Sequence, residues 1–142
     1  MSLIYTVLHP NYLAVFVVTI VSFMFGWLWY SPVLFARAWM AEMKFTEEKM
    51  QAAKPGMARM MATSFIYTLA STFAVASIIT AHRSESVLKG AMYGGFLGAL
   101  VVAPRLLNGG LWENRSVRLQ AITVGHEVAL FVMQGAIFAA WH

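Results

Sequence analysis

Glu127 is the only acidic residue deep inside any apolar stretch of this 142-residue chain. It lies nine residues past Arg118, about 13 Å along a helix and close to the middle of a bilayer. Gln120, Thr123, Glu127 and Gln134 follow one another at helical offsets of three, four and seven, which places them on one face. Such a face suits binding of a proton or a cation, or internal hydrogen bonding between helices. His126 is a potential ligand or proton relay. It projects about 100° away from Glu127, so the two are not expected to face each other. Arg105, after Pro104, is the nearest cation in sequence terms. It sits about 10 Å of helix nearer the membrane edge and is expected to extend to the interface rather than pair. Tyr67, Thr68, Ser71 and Tyr93 are candidate hydroxyl partners for Glu127.

Other chemistry has little support. There is no cysteine, hence no disulfide, thiolate ligand or thiol nucleophile. Phosphate-binding loops, zinc-protease helices, nucleophile elbows and dinucleotide fingerprints are all absent from the sequence. His9, His82 and His142 fall at the predicted outer side, too dispersed to predict a metal site. Haem would want a second histidine within the spans. No cofactor, metal site or catalytic residue is therefore predicted.

The elements that must position the polar face are four apolar stretches, at about residues 11–30, 57–80, 87–107 and 117–141. Sixty per cent of the residues are hydrophobic and 11% are charged, against about 25% charged in a soluble domain. Each stretch has the roughly 20 residues of helix needed to cross about 30 Å of hydrocarbon. Residues 16–24 and 97–103 are continuously apolar rather than alternating, which favours helices over a barrel. The fold class is therefore all-α: one integral-membrane four-helix bundle spanning residues 1–142. The net charge of +4 is not gathered into a nucleic-acid patch. Arg37, Lys44, Lys49, Lys54, Arg59, Arg105, Arg115 and Arg118 accompany two connections, against Arg83 and Lys89 on the other side. That bias predicts cytoplasmic loops and both termini outside. The leader lacks a basic start and its apolar stretch is too long for a signal peptide, so it reads as an uncleaved span. The Asn114-Arg115-Ser116 sequon falls on the predicted cytoplasmic side and carries no weight.

The first span ends in Gly26-Trp27-Leu28-Trp29-Tyr30-Ser31-Pro32. Trp27, Trp29 and Tyr30, with Trp39 and Trp141, are expected as interface anchors, and Pro32 as a turn. Phe35, Trp39 and Met43 recur four apart and predict a short helix lying in the cytoplasmic interface. Thr46 reads as the N-cap of a helix over residues 47–54 that Pro55-Gly56 terminates. This opening motif, with Phe35 and Trp39, resembles that of a bacterial family of small four-span membrane proteins, domain of unknown function 1761. The Gly125-His126 pair and the closing Trp141 are similar too. The resemblance implies four spans and a bacterial cytoplasmic (inner) membrane, and brings no substrate, cofactor or catalytic residue.

Small residues should govern helix contact. Gly90, Gly94 and Gly98 form overlapping GxxxG steps, with Gly95 beside them, and Ala121, Gly125 and Ala129 make a stripe on the last span. Packing within one bundle or a dimer face would both use them. Nine Leu, Ile, Val and Phe between residues 119 and 138 supply roughly 4 kcal/mol of insertion energy. One central charge costs about 3 kcal/mol, so the last span needs a sheltered polar face. The leading expectation is a structural or accessory membrane protein that works through lipid contact and a homo-oligomer or a membrane-protein partner. The alternative is a small proton- or cation-coupled transporter or channel, acting as a homo-oligomer with Glu127 as coupling carboxylate and a small-molecule ligand. An enzyme using His126, Glu127 and Arg105 on a lipid or quinone ranks last.

Overall fold

The computed structural model describes residues 3–82 and 86–141. Arg83 and His142, which entered the charge and histidine readings above, lie outside the described residues. A short helix α1 (Leu3–Leu8) precedes α2 (Tyr12–Trp29), whose start is capped by the Asn11 side chain accepting from the Ala14 N–H at 3.0 Å. Then come α3 (Ala36–Glu42), α4 (Glu47–Ala53) and α5 (Met57–Ala81). The second half contains α6 (Val87–Leu97), α7 (Ala103–Trp112) and α8 (Val117–Ala140). Four helical stretches are long and apolar enough to cross a membrane. Among the described residues there is no strand.

The turns follow from local chemistry, with two departures from expectation. Thr46 caps α4 as predicted, accepting from the Lys49 N–H at 3.3 Å. Pro55-Gly56 does not end the helix. It forms a 3₁₀ turn, Lys54–Gly56, through which α4 runs into α5 as one 35-residue helical stretch, Glu47–Ala81. Proline is tolerated there because the first turn of a helix leaves its N–H groups without intrahelical partners. Before Pro104, where a proline would be expected to kink the helix, lies a π-helical turn, Gly98–Val102, in which the Ala103 N–H reaches the Gly98 carbonyl. One extra residue in the turn makes room for the ring and leaves Val87–Trp112 a single 26-residue stretch.

The closest helix contact joins α6 to α8. A methyl group at Gly90 would overlap the Gly135 carbonyl, one at Gly94 the Phe131 carbonyl, and one at Gly98 would stand 3.0 Å from the Val128 Cα. The glycine steps therefore let two backbones of the same chain touch. Their counterpart is Phe131, Gly135 and Ala139, not Ala121, Gly125 and Ala129. Ala121 is exposed, Ala129 is half-buried, and Gly125 faces the Trp29 ring. Gly95 stands beside the Val132 side chain. Val75 and Ile79 of α5 pack on Phe131 and Ala139 to make the apolar core.

A polar clamp crosses the bundle beside that core. Gln134 of α8, fully buried, donates from Nε2 to Ser22 Oγ of α2 at 2.9 Å and to Thr72 Oγ1 of α5 at 3.0 Å. One side chain thus ties three long helices. Buried interhelical hydrogen bonds in such bundles contribute only about 0.6 kcal/mol on average. We expect Gln134→Leu to lower stability by about 1 kcal/mol and leave helix content unchanged, as read by thermal unfolding in detergent with circular dichroism.

At the end of the bundle carrying the long connection, Ser116 caps α8 through the Leu119 N–H and donates to the Glu42 carboxylate. Arg118 stands 4.0 Å from the same carboxylate. This ties α3 to the start of α8, a contact with no sequence signal. Glu42→Ala should speed amide exchange across residues 36–45 and leave the long helices protected, a difference hydrogen–deuterium mass spectrometry resolves.

Candidate functional site

The residues at the end of α2 and the middle of α8 form one site. Thr19, Ser22, Gly26 and Trp29 recur at offsets of three, four and three, so one face of α2 carries them all. That face meets α8. The Trp29 indole N–H donates to the Ile122 carbonyl at 3.2 Å, and its ring covers Gly125, where a methyl group would come within 3.3 Å. His126 is buried in an aromatic box. Ring centroids of Phe25, Trp29 and Tyr30 stand 5.5, 5.9 and 5.3 Å from the imidazole, with Phe25 stacked on it. Trp29 is itself held by Phe35 at 4.7 Å, and Tyr30 by Trp39 at 5.8 Å.

Three of the expected interface anchors are therefore inward-facing. Trp29 and Tyr30 wall the histidine and Trp39 backs them, whereas Trp27 is 80% exposed. The reason lies in the helix period. Two positions two residues apart point about 200° apart, so Trp27 and Trp29 cannot share a surface. Pro32 lies in the turn that follows, and Trp141 ends α8 partly exposed.

His126 and Glu127 do meet, contrary to expectation. His126 Nδ1 and Glu127 Oε1 are 3.0 Å apart. Cα directions differ by about 100°, but the flexible glutamate side chain curls back around the helix and closes the gap. His126 Nε2 is enclosed without a hydrogen-bond partner, against the bare Cα of Gly26. Because Nδ1 has a carboxylate to donate to and Nε2 has no acceptor, the tautomer that fits carries its proton on Nδ1.

The rest of the predicted polar face divides among separate contacts. Gln120 donates to the Arg115 carbonyl at 3.0 Å and packs on Gly110. Thr123 bonds the Leu119 carbonyl of its own helix and touches the Tyr30 phenol. Gln134 belongs to the clamp already described. Arg105 is exposed, and no ion pair joins it to Glu127. His9 and His82 each bond a carbonyl of the preceding helical turn, Tyr5 and Ile78 respectively. Among the described residues no group of three His, Cys, Asp or Glu comes together. The chain belongs to the DUF1761 family. The family model, described as "Protein of unknown function (DUF1761)", matches residues 13–139. No curated protein and no solved structure matches the chain. In this member of the DUF1761 family, the Gly26–Pro32 motif and the Gly125-His126 pair are thus two halves of one site.

The carboxylate is not sealed in. The Glu127 side chain is 29% exposed, and it lines a cavity of about 880 Å³ between α2, α5 and α8. Ser64, Thr68, Ser71 and Tyr67 of α5 line the opposite wall, with Phe23 and Trp27 of α2. Three of the four hydroxyl residues proposed as Glu127 partners thus share its cavity without bonding it. Tyr93 stands elsewhere, against His82 at 4.9 Å. Met24, Trp27, Met61 and Tyr67 are exposed at the cavity edge, so it opens through the side of the bundle between α2 and α5.

Proposed function

We propose that this is a small membrane protein that binds an amphipathic small molecule, or moves one, through a cleft open to the bilayer, with Glu127 as the group that holds a proton or cation. The single observation that carries the reading is the paired carboxylate. It reaches an 880 Å³ cavity in the flank of the bundle instead of being enclosed by protein. Small-molecule sites occupy about 300–1,000 Å³ and combine apolar walls with a few placed polar groups, as this cavity does. An ionisable residue within a span is costly and marks a functional pathway by default.

A bacterial cytoplasmic membrane, with the basic end of the bundle inside, accommodates this reading. The exposed apolar flanks suit lipid, and Arg37, Lys44, Arg115 and Arg118 cluster at the ends of helices that the positive-inside rule would keep in the cytoplasm. A purely structural role through glycine-mediated self-assembly has less support, because Gly90, Gly94 and Gly98 are already occupied by α8 of the same chain. Transport through so small a bundle would need a homo-oligomer to complete the walls.

Native mass spectrometry of gently extracted protein, wild type beside Glu127→Gln, tests the proposal. The expected result is a small molecule retained by the wild type and lost from the mutant. Identical spectra carrying only bulk lipid would return Glu127 to the role of internal hydrogen-bonding group and turn attention to protein partners.

A further inference from the structure

We infer that the cleft selects amphiphiles bearing one positive charge, such as a lipophilic quaternary ammonium or a protonated hydrophobic amine. The inference rests on the reading of the cleft as a ligand site and adds its charge preference. No lysine or arginine is among the residues lining the cavity; His126 and Glu127 are its histidine and its acid.

The hydrogen bonding favours one form of that pair. The enclosed His126 Nε2 has no protein acceptor, so a second proton on the ring would be a donor without a partner. A neutral imidazole whose Nδ1–H donates to an ionised Glu127 satisfies these contacts, and in that form the pair carries one negative charge. Burying such a charge beside a bilayer is unfavourable, and a cation at the exposed side of the carboxylate offsets it. An anion would meet like charge there, and a neutral ligand would leave the charge unmatched.

Two hydroxyls of the α5 wall and the aromatic rings point the same way. Thr68 donates its hydroxyl hydrogen to the Ser64 carbonyl at 2.9 Å, and Ser71 donates to the Thr68 carbonyl at 3.3 Å. With their hydrogens engaged, both hydroxyls offer only acceptor lone pairs to the cavity. Phe23, Phe65, Trp27 and Tyr67 supply aromatic surface, which attracts cations at ring faces and accommodates an apolar body. Carboxylate, acceptor hydroxyls and aromatic rings all favour a cationic head on a hydrophobic molecule.

Tetraphenylphosphonium and tetraphenylborate share a shape and differ in the sign of their charge. Titration of each into the protein in zwitterionic-lipid nanodiscs, with empty nanodiscs subtracted, separates charge from hydrophobicity. The cation should bind saturably, at least tenfold more tightly than the anion. Glu127→Gln should weaken the cation at least tenfold and remove most of that difference, with the thermal melt reporting that the bundle persists. Thr68→Trp, which fills the cleft from α5 without touching the pair, should abolish binding of the cation and serves if the first variant does not fold. Equal or tighter binding of the anion would overturn the charge preference and leave the cleft reading standing. Saturable binding of neither ion to wild type would overturn both.

Discussion

Gly94→Leu should prevent the bundle from assembling, with a loss of stability above about 4 kcal/mol, beyond the range of ordinary substitutions. The first carbon of any side chain at position 94 would overlap the carbonyl of Phe131. A backbone atom of a regular helix has nowhere to go, so α6 and α8 would have to move apart. Their separation would also undo the reciprocal contact in which Gly90 and Gly135 each lie against the other's carbonyl. Neighbouring glycines make the control. At Gly95 the obstacle is a Val132 methyl at 3.1 Å, which can shift, so Gly95→Ala should cost less than about 1 kcal/mol. Nothing lies within 4 Å at Gly109, and Gly109→Ala should stabilise by about 0.5–1 kcal/mol through helix propensity. Thermal melts of the three variants in one detergent give the ranking. Equal effects at positions 94 and 109 would mean that α6 and α8 are not packed on each other.

His126→Phe and Glu127→Gln should not be additive. Phenylalanine keeps a ring in the box formed by Phe25, Trp29 and Tyr30 while deleting the Nδ1–H that meets Glu127 at 3.0 Å. With Glu127 present, the substitution removes a hydrogen bond to a partly buried carboxylate, a loss of up to about 3 kcal/mol for a bond to a charged group. With glutamine at 127 there is no charge to strand, and the same change should cost about 1 kcal/mol. The coupling in a double-mutant cycle should therefore be about 2 kcal/mol, large for neighbouring side chains. A coupling near zero would show that solvent in the cleft replaces the imidazole.

Much of the scaffold is legible in the residues because length and hydropathy act locally. The helical stretches lie close to the expected spans, except that the second begins ten residues earlier, at Glu47, and the third runs five residues further, to Trp112. The N-cap at Thr46 and the short helix around Trp39 follow from side-chain types within a few positions. The site was legible only in pieces. Glu127, His126 and Gln134 stand out as polar residues in apolar surroundings, but their partners Ser22, Thr72, Phe25 and Trp29 lie far away in the chain. Periodicity assigns a residue to a face of its own helix and is silent on which helix that face meets. Gly135 was overlooked for the same reason: a lone glycine carries no stripe of its own, and its importance comes from standing opposite Gly90 and Gly94. Two signals were available. The spacing of Trp27 and Trp29 forbids a shared surface, and Thr19, Ser22, Gly26 and Trp29 fall on one side of α2.

If Glu127 is reached from the bilayer through the flank of the bundle, as we propose, a reagent dissolved in the hydrocarbon should find it. Carboxyl labelling of the protein in vesicles tests this directly, at an acidic pH that supplies the proton consumed when Glu127 adds to a lipophilic carbodiimide, beside a water-soluble one, read by peptide mass spectrometry. A stable adduct is expected on the peptide containing Glu127 with the lipophilic reagent, little with the water-soluble one, and none in Glu127→Gln. A Glu127 left unlabelled by the lipophilic reagent at that pH would show that it is closed to the bilayer, because an accessible carboxylic acid adds across a carbodiimide dissolved there.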